Sequence, residues 1–201
     1  MLTMYWSPEI LDELDLHFLD GPCPALGPSE VETLPHFPPP YYEWFHTDQN
    51  KTQFWHFNES VAYVEDYMIK NGPFDGLMGF SQGAALSSAL IGMQLHGDAL
   101  TKVPPLKFVM LISGSKFGYK TFGTPKLAVN AYSTPIQLPS LHFIGDKDFL
   151  KKENLGLLDA YLNPVVIHHP EGHKVPRLDA NNTKVVLGFI EKIGKLTNSR
   201  P

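Results

Sequence analysis

The stretch Gly79-Phe80-Ser81-Gln82-Gly83-Ala84-Ala85-Leu86 (GFSQGAAL) decides how the rest of this chain is read. It fits G-x-S-x-G, follows the apolar run FDGLMGF and leads into the small-residue run AALSSALIGMQL. A strand that turns sharply into a helix at a serine projects the hydroxyl from the end of a sheet, and glycines such as Gly79 and Gly83 let the two backbones close. The helix start also presents free N–H groups and the positive end of its dipole to negative charge developing at Ser81. GFSQGAAL therefore predicts a nucleophile on an elbow. A small-residue packing contact between strand and helix is the plainer alternative.

A serine hydroxyl is a poor nucleophile unless a base takes its proton. In sheets that carry such an elbow, the acid and then the histidine follow the serine in chain order. Both are supplied at the ends of later apolar runs. SLHFIGDKD offers Asp146 and Asp148, and PVVIHHPEGHKVP offers His168, His169 and His173. His168 and His169 still belong to a strand, one facing the core and the other a covering helix. His173 follows Pro170 and Gly172 in a loop able to reach back over the sheet, so His173 is the expected base. Asp148 lies deeper in its loop and is the expected acid, with Asp146 holding the turn. His169 and His173 are one helical turn apart, but Pro170 and Gly172 deny a helix there. No cysteine or carboxylate cluster completes the set, so no metal site is expected.

Around these motifs, apolar runs suited to strands alternate with helical patterns. Strands are expected over Leu14 to Gly21 (LDLHFLDG), FDGLMGF, Leu106 to Gly114 (LKFVMLISG), SLHFIGD and PVVIHH. Helices are expected over Asn58 to Gly72, with Asn58 as N-cap and Gly72 at the C-cap, then over AALSSALIGMQL, ENLGLLDAYL and TKVVLGFIEKIGKL. This alternation predicts the α/β class, a mainly parallel sheet with helices on both faces. Two irregular stretches interrupt it: Leu34 to Phe57, rich in proline and aromatics, and Ser115 to Pro139. Their aromatic side chains either pack on the domain or wall an apolar substrate pocket outside the carboxyl ends of the strands.

Composition limits the partners. The 201 residues fit a single domain, 1–201, with formal net charge -5 and no basic stripe, which argues against nucleic acid. No apolar run is long enough for a membrane span, and MLTMYWSPEILDELD has neither the basic start nor the cleavage site of a secretory signal. Cys23 is the only cysteine and reads as a small packed residue, so a cytoplasmic setting is expected.

GPFDGLMGFSQGAAL, LDLHFLDGPCPALG, PPYYEWF, PSLHFIGDKD and HPEGHKVP together resemble the FSH-type serine hydrolases. The resemblance implies an α/β-hydrolase fold, hydrolysis of carboxylic esters or thioesters, no cofactor, and matching positions at Ser81, Asp148 and His173. It also implies one oxyanion donor in the backbone N–H of Gln82, the residue after the serine. The aromatic stretches suggest a small-molecule ester with an apolar acyl group. The front of the chain departs from the pattern. Such proteins carry a short apolar strand and a His-Gly loop ahead of the helix whose end YWSPEILDEL matches. That strand lies centrally, between those of LDLHFLDG and FDGLMGF, and its loop gives the second oxyanion N–H. The expectation is thus a sheet with MLTMYW in part of the central place, or one with that strand missing and activity impaired. The rival from another class is a non-catalytic ligand-binding or interaction module. An acyltransferase, in which an alcohol outcompetes water, is a further alternative.

Overall fold

The computed structural model describes residues 2–27, 38–120 and 122–198. The first residues of the Leu34–Phe57 stretch, 34–37, lie outside the described residues, as does Thr121 in the second irregular stretch. The chain runs through α1 (Leu2–Tyr5), α2 (Pro8–Leu11), β1 (Cys23–Pro24), β2 (Tyr42–Glu43), β3 (His46–Thr47), β4 (Phe54–Trp55) and α3 (Phe57–Asn71). It continues with β5 (Gly76–Phe80), α4 (Gln82–His96), β6 (Phe108–Ile112), β7 (Ser140–Gly145), α5 (Lys151–Leu158), β8 (Val165–His169) and α6 (Ala180–Asn198).

The run LKFVMLISG lies at the centre because it is apolar on both faces of the pleat. As β6 it sends Val109 and Leu111 to one side, where they meet Val61, Val64 and Met68 of α3 and the small-residue face of α4. Met110 and Ile112 go to the other, with Leu141, Phe143, Ile167 and the α6 residues Val186, Phe189 and Ile193. The strands are parallel in the order β5-β6-β7-β8, as the alternating pattern predicts. Each fully buried side chain of this size contributes roughly 1.5–3 kcal/mol. Helix α4 sits flush on the 126–131 segment because Gly92 has no side chain: a Cβ there would fall 1.8 Å from the Ala131 carbonyl oxygen.

Three expectations are corrected. Leu14–Gly21 forms no strand, because it pairs with no edge of the sheet. Leu14 to Leu19 and Gly76 to Phe80 instead line a common cleft of about 1350 Å³. The backbone groups of Asp75 and Ser81 bond toward the β6 side. By alternation, those of Gly76, Met78 and Phe80 face the cleft. Of MLTMYW, Met1 lies outside the described residues and the rest adds no strand beside β5, which leaves the alternative of a sheet without that strand. Leu2–Tyr5 form α1, and Trp6 packs on the other face with its ring 5.3 Å from that of Phe143. Finally, α3 begins one residue before Asn58, with His56 at the cap position in left-handed backbone. Phe57 enters the helix because its ring is held between Phe45 and Phe117.

That contact belongs to a larger cluster. Phe45, Phe54, Phe57, Phe117 and Phe122 pack ring against ring at 5.2–5.9 Å. The two irregular stretches therefore fold onto each other, and these five rings are spent on the core.

His142 of β7 is buried with its Nε2 3.0 Å from Ser140 Oγ, and burial lowers its pKa from 6.5 to about 3. Because the unfolded chain takes up the proton first, stability is complete above pH 6.5 and falls as pH drops toward about 3. The loss is about 1.4 kcal/mol per pH unit. Urea midpoints for His142→Asn are expected to decline less steeply with falling pH than those of the parent protein. Equal slopes would contradict this account.

Candidate active site

The elbow is fixed from both sides. Strand β5 ends at Phe80 and α4 opens at Gln82, leaving Ser81 at φ 54° and ψ −116°, a conformation costly for a residue with a side chain. Its N–H donates to the Ile112 carbonyl at the end of β6 (3.0 Å), and its carbonyl accepts the Ala85 N–H (3.0 Å) in the first turn of α4. Gly79 is required, since a Cβ there would stand 2.4 Å from the Gly83 carbonyl oxygen. At Gly83 the constraint is milder, with the Trp44 indole nitrogen 3.3 Å from a built Cβ.

The other two groups arrive through the β7–β8 ladder. Its register ends at Gly145 opposite His169, but the pairing continues past both strands. Asp146 N–H donates to the His169 carbonyl (2.8 Å) and Lys147 N–H to that of Glu171 (3.0 Å). Gly145 lies so close to Gly172 that a Cβ would come within 2.5 Å of its carbonyl oxygen. The two loops are thereby held side by side, and Asp148 faces His173. His173 Nδ1 is 3.0 and 3.1 Å from the Asp148 carboxylate oxygens, and His173 Nε2 is 2.8 Å from Ser81 Oγ. A carboxylate accepts only, so Nδ1 carries the proton and Nε2 accepts the Ser81 hydroxyl. The Asp148 side chain is 0% exposed and that of His173 8%, so the line is shielded from bulk water.

The remaining candidates fall outside it. Asp146 is exposed and bonds Lys151 Nζ at 2.8 Å, which holds its carboxyl below the usual range. The turn expected of Asp146 is held instead by Asp148, whose Oδ1 also accepts the Leu150 N–H at 2.7 Å. His168 is exposed. His169 is buried, and burial lowers its pKa. Among the described residues no group of three or more His, Cys, Asp or Glu side chains is placed to hold a metal ion. Cys23 is buried, which raises its thiol pKa with help from the Glu59 charge.

Two features escaped the sequence reading. The Gln82 side chain reaches across to the PPYYEWF stretch, where Oε1 accepts the Trp44 N–H (2.6 Å) and Nε2 donates to the Phe45 carbonyl (2.8 Å). The same residue presents its backbone N–H at the start of α4, where first-turn donors have no helical partner. In addition, the imidazole of His173 lies between two rings, Phe80 at 5.1 Å and Phe149 at 4.7 Å. The only hint of the second was the apolar pair Phe149-Leu150 inside the polar run GDKDFLKKEN. The large cleft touches the elbow at Gly79, Phe80 and Gly83, yet Ser81, Asp148 and His173 do not line it.

The family model described as "Serine hydrolase (FSH1)" matches residues 3–185, and the chain belongs to this family. Its four parallel strands and the strand-to-helix turn at Ser81 are the arrangement that the sequence pattern predicts. It is 30% identical over 181 residues to the mouse (Mus musculus) protein named esterase OVCA2, a match covering 88% of this chain and 76% of that one. With the Homo sapiens esterase OVCA2 the identity is 32% over 139 residues, 68% of this chain and 58% of the other. The chain thus spans between about half and three quarters of the length of these relatives. A monoacylglycerol lipase from Paleococcus ferrophilus is 10% identical over 69% of this chain and 75% of its own, with a TM-score of 0.48.

Removing the Gln82 side chain leaves the Trp44 N–H and Phe45 carbonyl without partners. Gln82→Ala is expected to lower stability by about 1–3 kcal/mol, measured by chemical denaturation. An unchanged midpoint would show that the tie carries no weight.

Proposed function

We propose that this protein hydrolyses carboxylic esters or thioesters through Ser81, His173 and Asp148. The single observation that carries the reading is the unbroken hydrogen-bonded line from Ser81 Oγ through His173 to a fully buried Asp148. In the first half-reaction Ser81 Oγ bonds to the carbonyl carbon as its proton passes to His173 Nε2. The bond to the leaving alcohol or thiol then breaks, and that proton goes to the departing atom. Asp148 keeps the imidazole in the required tautomer and offsets its positive charge. The Gln82 N–H donates to the oxyanion. Water, deprotonated by the same histidine, releases the acid and restores Ser81. No cofactor enters these steps.

An apolar acyl group and a cytoplasmic setting complete the proposal. In favour of the first stand the apolar residues Leu19, Trp44, Leu77 and Phe80 on the cleft that touches the elbow, and in favour of the second the lone, buried Cys23. Among the described residues no helix is long and apolar enough to cross a membrane.

A second reading, a hydrolase-fold binding module, draws on the cleft beside β5, because nothing described there adds a second donor to that of Gln82. One oxyanion donor fewer typically lowers the rate about a hundred- to a thousandfold. Steady-state hydrolysis of 4-nitrophenyl butyrate separates the two. The proposal expects measurable turnover, reduced about 10⁴-fold or more in Ser81→Ala and in His173→Ala. Background rates that neither substitution changes would favour the binding module.

A further inference from the structure

Phe149 is 65% exposed, although its ring lies 4.7 Å from that of a nearly buried histidine. Large aromatic side chains are seldom left in water at a polar turn, and this one sits between Asp148 and the start of α5. The ring meets His173 on a tilt of 41°, while Phe80 lies against the same imidazole at 5.1 Å on a tilt of 42°. Phe80 is half-buried and packs against the core, so of these two rings Phe149 presents the more open aromatic surface at the histidine.

The reaction scheme fixes what must come close to that surface, and the inference rests on the proposed hydrolysis. The departing oxygen or sulfur is bonded to the carbon that Ser81 Oγ attacks, and it must take its proton from His173 Nε2. Hydrogen-bond reach of Nε2 places this atom within about 3 Å of the ring that Phe149 covers. The alcohol or thiol portion of the substrate leaves the site from there, whereas the acyl portion points away along the Ser81 bond. A chain attached to the departing atom therefore passes the open edge of Phe149. Apolar groups in that position lose water-exposed area to the ring, and small or charged ones gain nothing.

We propose that Phe149 forms the leaving-group subsite and selects esters or thioesters whose alcohol or thiol portion is apolar, alkyl of several carbons or aryl. It is a specificity-determining wall and takes no proton. Its preference acts on acylation alone, because the alcohol has left before water attacks.

Two substrate series test this with Phe149→Ala and Phe149→Leu. In the first the acyl group is held as butyrate and the alcohol runs from methyl through butyl to benzyl. In the second the alcohol is held as 4-nitrophenol and the acyl chain is varied. The parent protein is expected to show kcat/KM rising along the alcohol series. In Phe149→Ala the butyl-to-methyl ratio falls about fivefold, and Phe149→Leu recovers part of it. Relative rates across the acyl series stay as in the parent protein. A side chain that merely steadied His173 would change every ester by one common factor, and that result overturns the subsite. So does a change confined to the acyl series. If the parent protein hydrolyses none of these esters, the hydrolase reading and the subsite fall together. Hydrolysis with an unaltered alcohol series removes the subsite alone.

Discussion

Parallel pairing in register across β5, β6, β7 and β8 is the constraint on which the site depends. Phe80 stands opposite Ile112, Ile112 opposite Phe143, and Gly145 opposite His169, so the carboxyl ends of all four strands finish at one end of the sheet. Ser81, Asp148 and His173 each follow such an end within a few residues. Their meeting is then a matter of short loops, and the loop pair after β7 and β8 is itself a continued ladder. Strain at Ser81 is sustained because β6 holds its N–H and α4 holds its carbonyl. The chemistry is thus attached to the most buried part of the molecule.

The same constraint explains how much was legible beforehand. β6 reads correctly because a strand covered on both faces needs an unbroken apolar run, which LKFVMLISG is. Asp148 and His173 stood out because glycine and proline near them marked loops at strand ends, and Gly145 and Gly172 turn out to be where the two loops touch. LDLHFLDG misled for the converse reason. Its apolar alternation suits a strand, but a strand exists only where a neighbouring edge accepts its backbone, and no neighbour is written in the segment itself. Asn58 failed as a cap because a distant ring contact, Phe57 on Phe117, moved the helix start. The Gln82 tie to Trp44 and Phe45 spans 38 and 37 residues, beyond any local pattern.

A cleft separates β5 from the Leu14–Leu19 segment. It reaches Gly79, Phe80 and Gly83 from behind Ser81, on the side where the resemblance places a further strand and a second oxyanion donor. In front of Ser81, by contrast, the hydrogen-bonded line to His173 and Asp148 is intact, with Phe80 and Phe149 against the imidazole. For the proposed hydrolysis, the hydrogen-bonded line supports proton transfer at Ser81, while among the described residues only the Gln82 N–H is placed for the oxyanion.

Covalent modification of Ser81 tests the central claim most directly, because it needs the activated hydroxyl and not a full cycle. Intact protein treated with a fluorophosphonate, then digested and mapped by mass spectrometry, is expected to carry one adduct on the Ser81 peptide. The adduct should be lost in Ser81→Ala and formed much more slowly in His173→Ala. Folded protein that takes up no label at Ser81 would contradict the account.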